Sequence, residues 1–163
     1  MARLPVNENF FKKWSPEMAY VLGYTVADGG LYGSPRGNYY LEYTSIDLEL
    51  IERVKNLIQS GHKITKRLAK QPKWKDSYRI QIGSKKICLD LESMGITRNK
   101  SLTIVLPKIP KKYFGDFLRG YFDGDGSVNI GRYWRKDRAQ YKYVFSVRFT
   151  SGSIVFLKQL HEE

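Results

Sequence analysis

The chain has 163 residues, and 28 Lys plus Arg against 16 Asp plus Glu give it a formal net charge of +12. Hydrophobic residues make up 42% of it, which is enough for a globular core. The charge predicts a polyanion as partner, and the single cysteine, Cys88, excludes an internal disulfide framework and a cysteine zinc site. No apolar run reaches membrane length and no signal peptide opens the chain. We therefore expect an intracellular protein, in cytoplasm, nucleoid or organelle, with no membrane partner.

The first half of the chain predicts a helix, two strands, a helix, two strands and a helix. Ser15 before Pro16 is typical of a helix start. This helix is expected to run over 16–28 and to end where Gly29 supplies a left-handed turn. Periodicity and turn residues predict strands at 30–34 and 38–45 around a turn at 34–37, a helix at 47–60, strands at 62–69 and 77–83, and a helix at 84–94. An extended connector is predicted for 96–112.

The second half restarts the same order. Strands are predicted at 127–135 and 140–150, followed by a helix from about residue 152. Alternation along the second strand predicts an apolar face suited to packing on helices, formed by Tyr141, Tyr143, Phe145, Val147 and Phe149. The internal similarity predicts two units with pseudo-two-fold symmetry, residues 1–112 and 113–163. The second unit lacks two strands and a helix, so we expect its open sheet edge to favour self-association.

Two stretches, 21–29 and 118–126, share an apolar run that ends in a small residue, an Asp and a Gly. Small residues four apart form a notch on a helix face, so two such helices can approach closely; these residues are Gly23, Ala27, Gly120 and Gly124. Asp28 and Asp125 would then emerge side by side at the negative ends of both helix dipoles. Two carboxylates there are unfavourable without a cation, and hard oxygen ligands suit Mg²⁺. A single copy could be a mere turn into a strand, but the matched pair favours a metal site.

These two stretches resemble the paired motifs of LAGLIDADG homing endonucleases. The second copy is the closer match, because the first has Val26 where the family usually has an acidic residue and the second keeps Asp123. The resemblance implies an α+β fold of αββαββα units, here with the second unit incomplete, whose antiparallel sheets form a DNA-binding saddle. It implies Asp28 and Asp125 as catalytic ligands of Mg²⁺ or Mn²⁺, assisted by the backbone carbonyls of Ala27 and Gly124. Similar endonucleases often place a lysine near the scissile phosphate, which implies a catalytic role for Lys100, between the third helix and the second motif; the alternative is a loop lysine that binds a phosphate away from the cut.

The predicted DNA contacts are basic and polar side chains on strand faces opposite the apolar ones. Such groups on an exposed two-stranded ribbon can read base edges in the major groove, although an ordinary solvated sheet face is the alternative. The predicted contacts are Lys63, Arg67, Arg79, Gln81, Arg132, Arg135, Lys136, Arg138, Gln140, Lys142, Ser146 and Arg148.

Three functions stay open on these grounds. The first is a metal-dependent, site-specific double-strand DNA endonuclease encoded in an intron or intein. The second is a DNA-binding module or transcription regulator that keeps the fold without cutting. The third is a splicing maturase with intron RNA as partner, because relatives in the family also assist intron folding. The two aspartates favour the first function, and the incomplete second unit favours the second.

Overall fold

The computed structural model describes residues 4–33 and 37–163, so the predicted turn at 34–37 lies outside the described residues except for Gly37. The helices are α1 (Pro16–Asp28), α2 (Leu48–Leu57), α3 (Lys85–Ser93), α4 (Phe114–Asp125) and α5 (Ile154–Glu162). The strands are β1 (Gly29–Gly33), β2 (Tyr39–Ser45), β3 (Ile64–Arg67), β4 (Ser77–Gly83), β5 (Gly126–Arg135) and β6 (Gln140–Phe149). The predicted α+β order is confirmed as αββαββα followed by αββα.

Local capping residues explain where the helices begin. The Ser15 hydroxyl accepts a hydrogen bond from the Met18 amide at 3.1 Å, with Pro16 in the first turn of α1. Ser84 caps α3 and Ser153 caps α5 in the same way, and each such cap typically contributes about 1 kcal/mol. Gly95, with φ +89°, follows the end of α3 in the left-handed conformation. Two short 3₁₀ turns, Lys100–Leu102 and Lys111–Tyr113, interrupt the predicted extended connector. The predicted unit boundary at 112 lies within the second turn and stays a prediction.

The prediction of a left-handed turn after each motif helix is wrong. Gly29 has φ −75° and ψ 141°, and Gly126 has φ −87° and ψ 159°, so each helix passes directly into an extended strand. The lack of room for a side chain, rather than a need for a left-handed backbone, explains why Gly29 and Gly126 are glycines. A Cβ on Gly29 would lie 2.7 Å from the Thr25 side chain, and one on Gly126 would lie 2.1 Å from the Phe122 ring.

The first four strands form one antiparallel sheet in the order β1-β2-β4-β3. One face is buried: Leu41 and Tyr43 of β2 and Ile80 and Ile82 of β4 are each 0% exposed. These side chains share the core with the inner residues of α2 and α3, which are Ile51, Val54, Ile87 and Leu91. Each fully buried aliphatic side chain of this kind stabilises the fold by roughly 1.5–3 kcal/mol. The opposite face of this sheet is therefore left for a partner or for solvent.

The second sheet is a two-stranded ribbon of β5 and β6. The prediction that its apolar face packs on helices is wrong for most of its length: Tyr141, Tyr143, Phe145 and Val147 are 52%, 71%, 68% and 48% exposed. Only the base of the ribbon joins the core, where Phe149 stacks against Tyr121 with ring centroids 6.3 Å apart. The register adds Val128, Ile130 and Trp134 of β5 to the same uncovered face. The described elements simply include no helix over this surface.

Helices α1 and α4 pack closely enough to hold the two motifs together. A Cβ on Gly23 would lie 2.0 Å from the Phe117 carbonyl oxygen, and one on Gly120 would lie 1.9 Å from the Tyr20 carbonyl oxygen. Gly124 faces Ala27 in the same way, because an added Cβ would lie 2.5 Å from the Ala27 Cβ. The four small residues thus line one continuous contact. None of the helices in the described ranges could span a membrane.

Candidate active site and nucleic-acid interface

Asp28 and Asp125 are the last residues of α1 and α4, and the packing of these helices brings them to the same end. Asp28 Oδ2 lies against Gly124, 3.4 Å from the position a Cβ there would take. Burial raises the pKa of Asp28, and the charge of Asp125 raises it further, while Lys100 lowers it. Burial also raises the pKa of Asp125, again opposed by Lys100. Both carboxylates are therefore costly to ionise without added positive charge.

Lys100 is buried beside the two aspartates, with only 7% of the residue exposed. Its Nζ donates a hydrogen bond to the Ala27 carbonyl oxygen at 3.4 Å. Burial lowers the pKa of Lys100, whereas Asp125 and Asp28 raise it. The lysine is positioned by the turn Lys100–Leu102, which follows Asn99 in the left-handed conformation at φ 57°. The connector between α3 and α4 thus supplies a cation to the ends of both motif helices.

A polar cavity of about 430 Å³ opens directly beside this group. Its lining includes Asp28, Lys100, Glu42, Thr44 and Arg98. The cavity lies between the end of α1, strands β1 and β2, and the connector, on the side of the sheet away from the core. Its position lets a phosphate group approach both the carboxylate and the lysine.

The donor set fits a hard divalent cation that keeps much of its water. In the described part of the chain, no group of three or more His, Cys, Asp or Glu side chains could hold a metal. Two carboxylates and nearby carbonyl oxygens remain, which is the kind of partial ligand set that Mg²⁺ uses together with substrate phosphates. The Ala27 carbonyl is already bonded to Lys100. Asp28 and Asp125 are therefore the strongest candidate ligands, and the carbonyls of Ala27 and Gly124 are secondary.

The open face of the first sheet carries several of the predicted DNA contacts. The β4 residues Arg79 and Gln81 are side by side with Thr44 and Glu42 of β2 in the antiparallel register. Lys63, just before β3, and Arg67, its last residue, are both exposed. Arg67 pairs with Ser77, and both lie on the same face of the sheet as Arg79. Strand alternation alone predicts these outward positions. The sequence prediction missed Glu42, whose contacts with Arg79 and Gln81 depend on the cross-strand register.

The ribbon divides the remaining predicted contacts between its two faces. Register places Arg135, Gln140, Lys142, Ser146 and Arg148 on the face opposite the uncovered apolar one. Arg132 lies on the apolar face instead, where its guanidinium sits 4.5 Å from the Tyr141 ring centroid. At the ribbon's tip Arg135 and Arg138 both contact Asp137, and Lys136 is exposed. Arg132 is thus separated from the basic residues with which the sequence grouped it.

Asp123, the extra acidic residue of the second motif, faces away from the aspartate pair. The Tyr20 hydroxyl donates a hydrogen bond to its Oδ2 at 2.6 Å, and Arg53 Nη1 lies 3.3 Å from the same oxygen. The corresponding Val26 of the first motif is buried in the core, with 4% exposure. Asp123 therefore ties α4 to α1 and α2 rather than joining the candidate metal site.

Comparison with known proteins matches part of this chain to a family. Residues 15–94 match the family model of the LAGLIDADG-like domain. Two curated relatives, both uncharacterized proteins of Methanocaldococcus jannaschii, are MJ0398, 31% identical over 120 residues, and MJ0314, 29% identical over 143 residues. The matches cover 72% and 86% of this chain but only 41% and 51% of the relatives, so the chain spans about half of their length.

The similar solved structures are homing endonucleases. The meganuclease I-SmaMI bound to uncleavable DNA matches with a TM-score of 0.53 and 13% identity, over 83% of this chain and 66% of that one. I-WcaI bound to its DNA recognition sequence matches with a TM-score of 0.51 and 17% identity, over 72% of this chain and 56% of that one. I-LtrWI bound to target DNA matches with a TM-score of 0.51 and 11% identity, over 88% of this chain and 67% of that one. At these identities the likeness concerns the fold. With the family match over residues 15–94 and the two motifs at the α1–α4 contact, it shows that the chain contains a LAGLIDADG-like domain and has the fold of these homing endonucleases.

Proposed function

We propose that the chain is a site-specific double-strand DNA endonuclease that hydrolyses one phosphodiester in each strand with Mg²⁺ or Mn²⁺. The observation that carries this proposal is the group formed by Asp28, Asp125 and Lys100. Two half-buried carboxylates with raised pKa values share the ends of two helices with a buried lysine, beside a polar cavity. A protein that only binds DNA gains nothing from carboxylates held near phosphate.

The residues of this chain have distinct roles in that reaction. Asp28 and Asp125 would hold the metal, and α1 and α4 fix their separation because their backbones are in contact at Gly23 and Gly120. When bound, the metal activates water and stabilises charge on the leaving oxygen. Lys100 is positioned to stabilise the charge that builds on phosphoryl oxygens, because its Nζ is held at the ends of both helices.

The two sheets supply the proposed DNA contacts. The formal charge of +12 and the basic outward residues of β3, β4 and the ribbon favour duplex DNA, and ribbons of this width fit the major groove. I-SmaMI and I-WcaI, which share the fold, are both solved with DNA, and I-SmaMI is also solved with its uncleaved target in the presence of calcium ions. These structures support duplex DNA and a divalent metal as the partners of this chain.

A plasmid library of candidate sites tests the proposal directly. We expect the chain to linearise a subset of plasmids when Mg²⁺ is present and none when EDTA replaces it. Sequencing the cut ends would then define the site. Binding to duplex DNA without cutting of any plasmid, with Mg²⁺ or Mn²⁺, would reject the endonuclease and favour the non-cleaving DNA-binding module.

We also propose that the chain self-associates through the uncovered ribbon face, which rests on the exposure of Tyr143 and Phe145. An apolar patch of this extent next to an open strand edge favours contact with another chain. Replacing Tyr143 and Phe145 together by Lys should shift the protein towards monomer, because two charges would be buried at the contact. Sedimentation velocity over a hundredfold range of concentration, at moderate salt to screen the net charge, measures this. A wild-type protein that stays monomeric throughout would contradict the expectation.

A further inference from the structure

Glu42 is a carboxylate in the middle of a sheet face whose other charged strand residues, Arg67 and Arg79, are basic. It lies on β2, opposite Gln81 of β4 on one side and Gly30 of β1 on the other. Its Oε2 accepts hydrogen bonds from Arg79 and, at 2.8 Å, from Gln81 Nε2. The side chains of Arg79 and Glu42 are only 24% and 14% exposed, so the pair is largely withdrawn from solvent.

This arrangement occupies two side chains that would otherwise be free to bind DNA. The Arg79 guanidinium is turned towards Glu42, and its Nε has no hydrogen-bond partner within the described residues. A guanidinium that is paired with a carboxylate is partly neutralised, so it attracts a phosphate less strongly than an unpaired guanidinium does. Arg67, exposed on the same face, has no such carboxylate partner among the ion pairs of the described residues. The sheet therefore contains one restrained and one free arginine.

A carboxylate on this face also discriminates between bases. Both hydrogen bonds end on Oε2, which leaves Oε1 to accept another donor. In the major groove the cytosine N4 amino group is a donor that suits a carboxylate, whereas guanine presents the acceptors O6 and N7. Glu42 repels phosphates and the acceptor edge of guanine, whereas the cytosine N4 amino group can donate a hydrogen bond to its remaining oxygen.

We propose that Glu42 is a specificity-determining residue that restrains Arg79 and Gln81 on non-cognate DNA and selects cytosine at the base pair it faces. The inference rests on the proposed function, because it assumes that this sheet face lies on duplex DNA. Its two consequences are weaker binding to random sequence and a preference for cytosine at one position of the site. One good base contact of this kind discriminates by about fivefold to 150-fold, which is roughly 1–3 kcal/mol.

The first measurement is the salt dependence of binding to a random-sequence 30-bp duplex by fluorescence anisotropy without divalent metal. Glu42→Gln should bind more tightly than wild type, and its log Kd against log salt slope should steepen by about 0.9 for each phosphate that Arg79 newly contacts. Glu52→Gln is the matched control: it changes the charge equally but lies exposed on α2. Its slope should equal that of wild type. Equal slopes for Glu42→Gln and Glu52→Gln would overturn the restraint.

The second measurement is selection from a randomised duplex library. Wild type should enrich cytosine at one position, and Glu42→Gln should lose that preference, with adenine favoured because glutamine pairs with its N6 and N7. An unchanged cytosine preference in the variant would overturn the role of Glu42 in selection. If wild type shows no salt-dependent binding at all, the proposed function fails first, whereas normal wild-type binding with an unaltered variant rejects Glu42 alone.

A second pair of variants covers the case in which Glu42→Gln does not fold. Arg79→Gln should weaken binding to the random duplex less than Arg67→Gln does, because Glu42 already withholds Arg79 from phosphate. Where Glu42→Gln does fold, adding Arg79→Gln to it should abolish the gain in affinity, as a double-mutant cycle. Equal losses for Arg79→Gln and Arg67→Gln in the wild-type background would contradict the restraint.

Discussion

Replacing Asp28 or Asp125 by Asn should reduce DNA cleavage by at least about 100-fold while leaving DNA affinity nearly unchanged. Asn keeps the size of the side chain but removes a charge and a hard oxygen ligand, and a catalytic metal contributes several kcal/mol of transition-state stabilisation, of which each 1.36 kcal/mol is tenfold in rate. Cleavage of a selected plasmid and anisotropy with the same site measure both quantities. Normal cutting by either variant would place the catalytic site elsewhere.

The same variants should lose their response to metal in the absence of DNA. Saturating Mg²⁺ should raise the melting temperature of wild type, because a ligand that binds only the folded state stabilises it by about 2.7 kcal/mol at 100 times its Kd. Asp28→Asn and Asp125→Asn should show little of this rise. Asp116→Asn is the control on the same α4 helix: it lies in the first turn, beside Arg119 and far from the aspartate pair. It should keep both the metal response and the cleavage.

Without metal, both Asn variants should be more stable than wild type at neutral pH. The pKa values of Asp28 and Asp125 are raised in the fold, so the folded state binds protons more tightly than the unfolded state. The stability this gives is fully present below the unfolded pKa, near 3.8, and is lost as pH rises through the folded pKa. The advantage of the Asn variants should therefore shrink as pH is lowered towards 3.8. Thermal melts across this range measure the difference, and a difference that does not change with pH would argue that the fold does not raise the pKa values of these carboxylates.

Gly120→Leu should abolish folding and DNA binding together, and Gly120→Ala should already destabilise the fold by about 3 kcal/mol or more. An added Cβ would lie 1.9 Å from the Tyr20 carbonyl oxygen, and overpacking of a core costs about 1–3 kcal/mol even where neighbours can adjust. Here the obstacle is backbone, so the two helices must separate. A loss of this size is a large part of the 5–15 kcal/mol typical of a domain.

Gly115→Ala, in the same helix, is the control for this prediction. An added Cβ at Gly115 meets nothing within 4 Å, so alanine should be neutral or stabilising by up to about 1 kcal/mol through helix propensity. Urea unfolding of the two alanine variants separates helix propensity from helix–helix contact. Similar midpoints for Gly120→Ala and Gly115→Ala would mean that α1 and α4 are not in close contact.

The motifs and most elements are predictable from the sequence because their causes are local. Ser15 and Pro16 start α1, alternation in β4 sorts Ile80 and Ile82 from Arg79 and Gln81, and the small residues four apart lie on one helix face wherever that helix packs. The Asp-Gly steps predict a left-handed turn that the structure does not contain, because glycine occurs at such positions for two different reasons. A left-handed turn and a crowded helical neighbour both exclude a side chain, and only the φ angles of Gly29 and Gly126 distinguish them.

The charge of this protein, its paired motifs and the order of its elements can be read from the amino-acid sequence, since each depends on composition or on residues a few positions apart. The contacts of Glu42 with Arg79, of Arg132 with Tyr141 and of Lys100 with Ala27 are visible only in the folded structure. These contacts join residues of different elements, and the register of paired strands or the packing of a connector selects them. A shift of one residue in either strand of a pair would send a side chain to the opposite face.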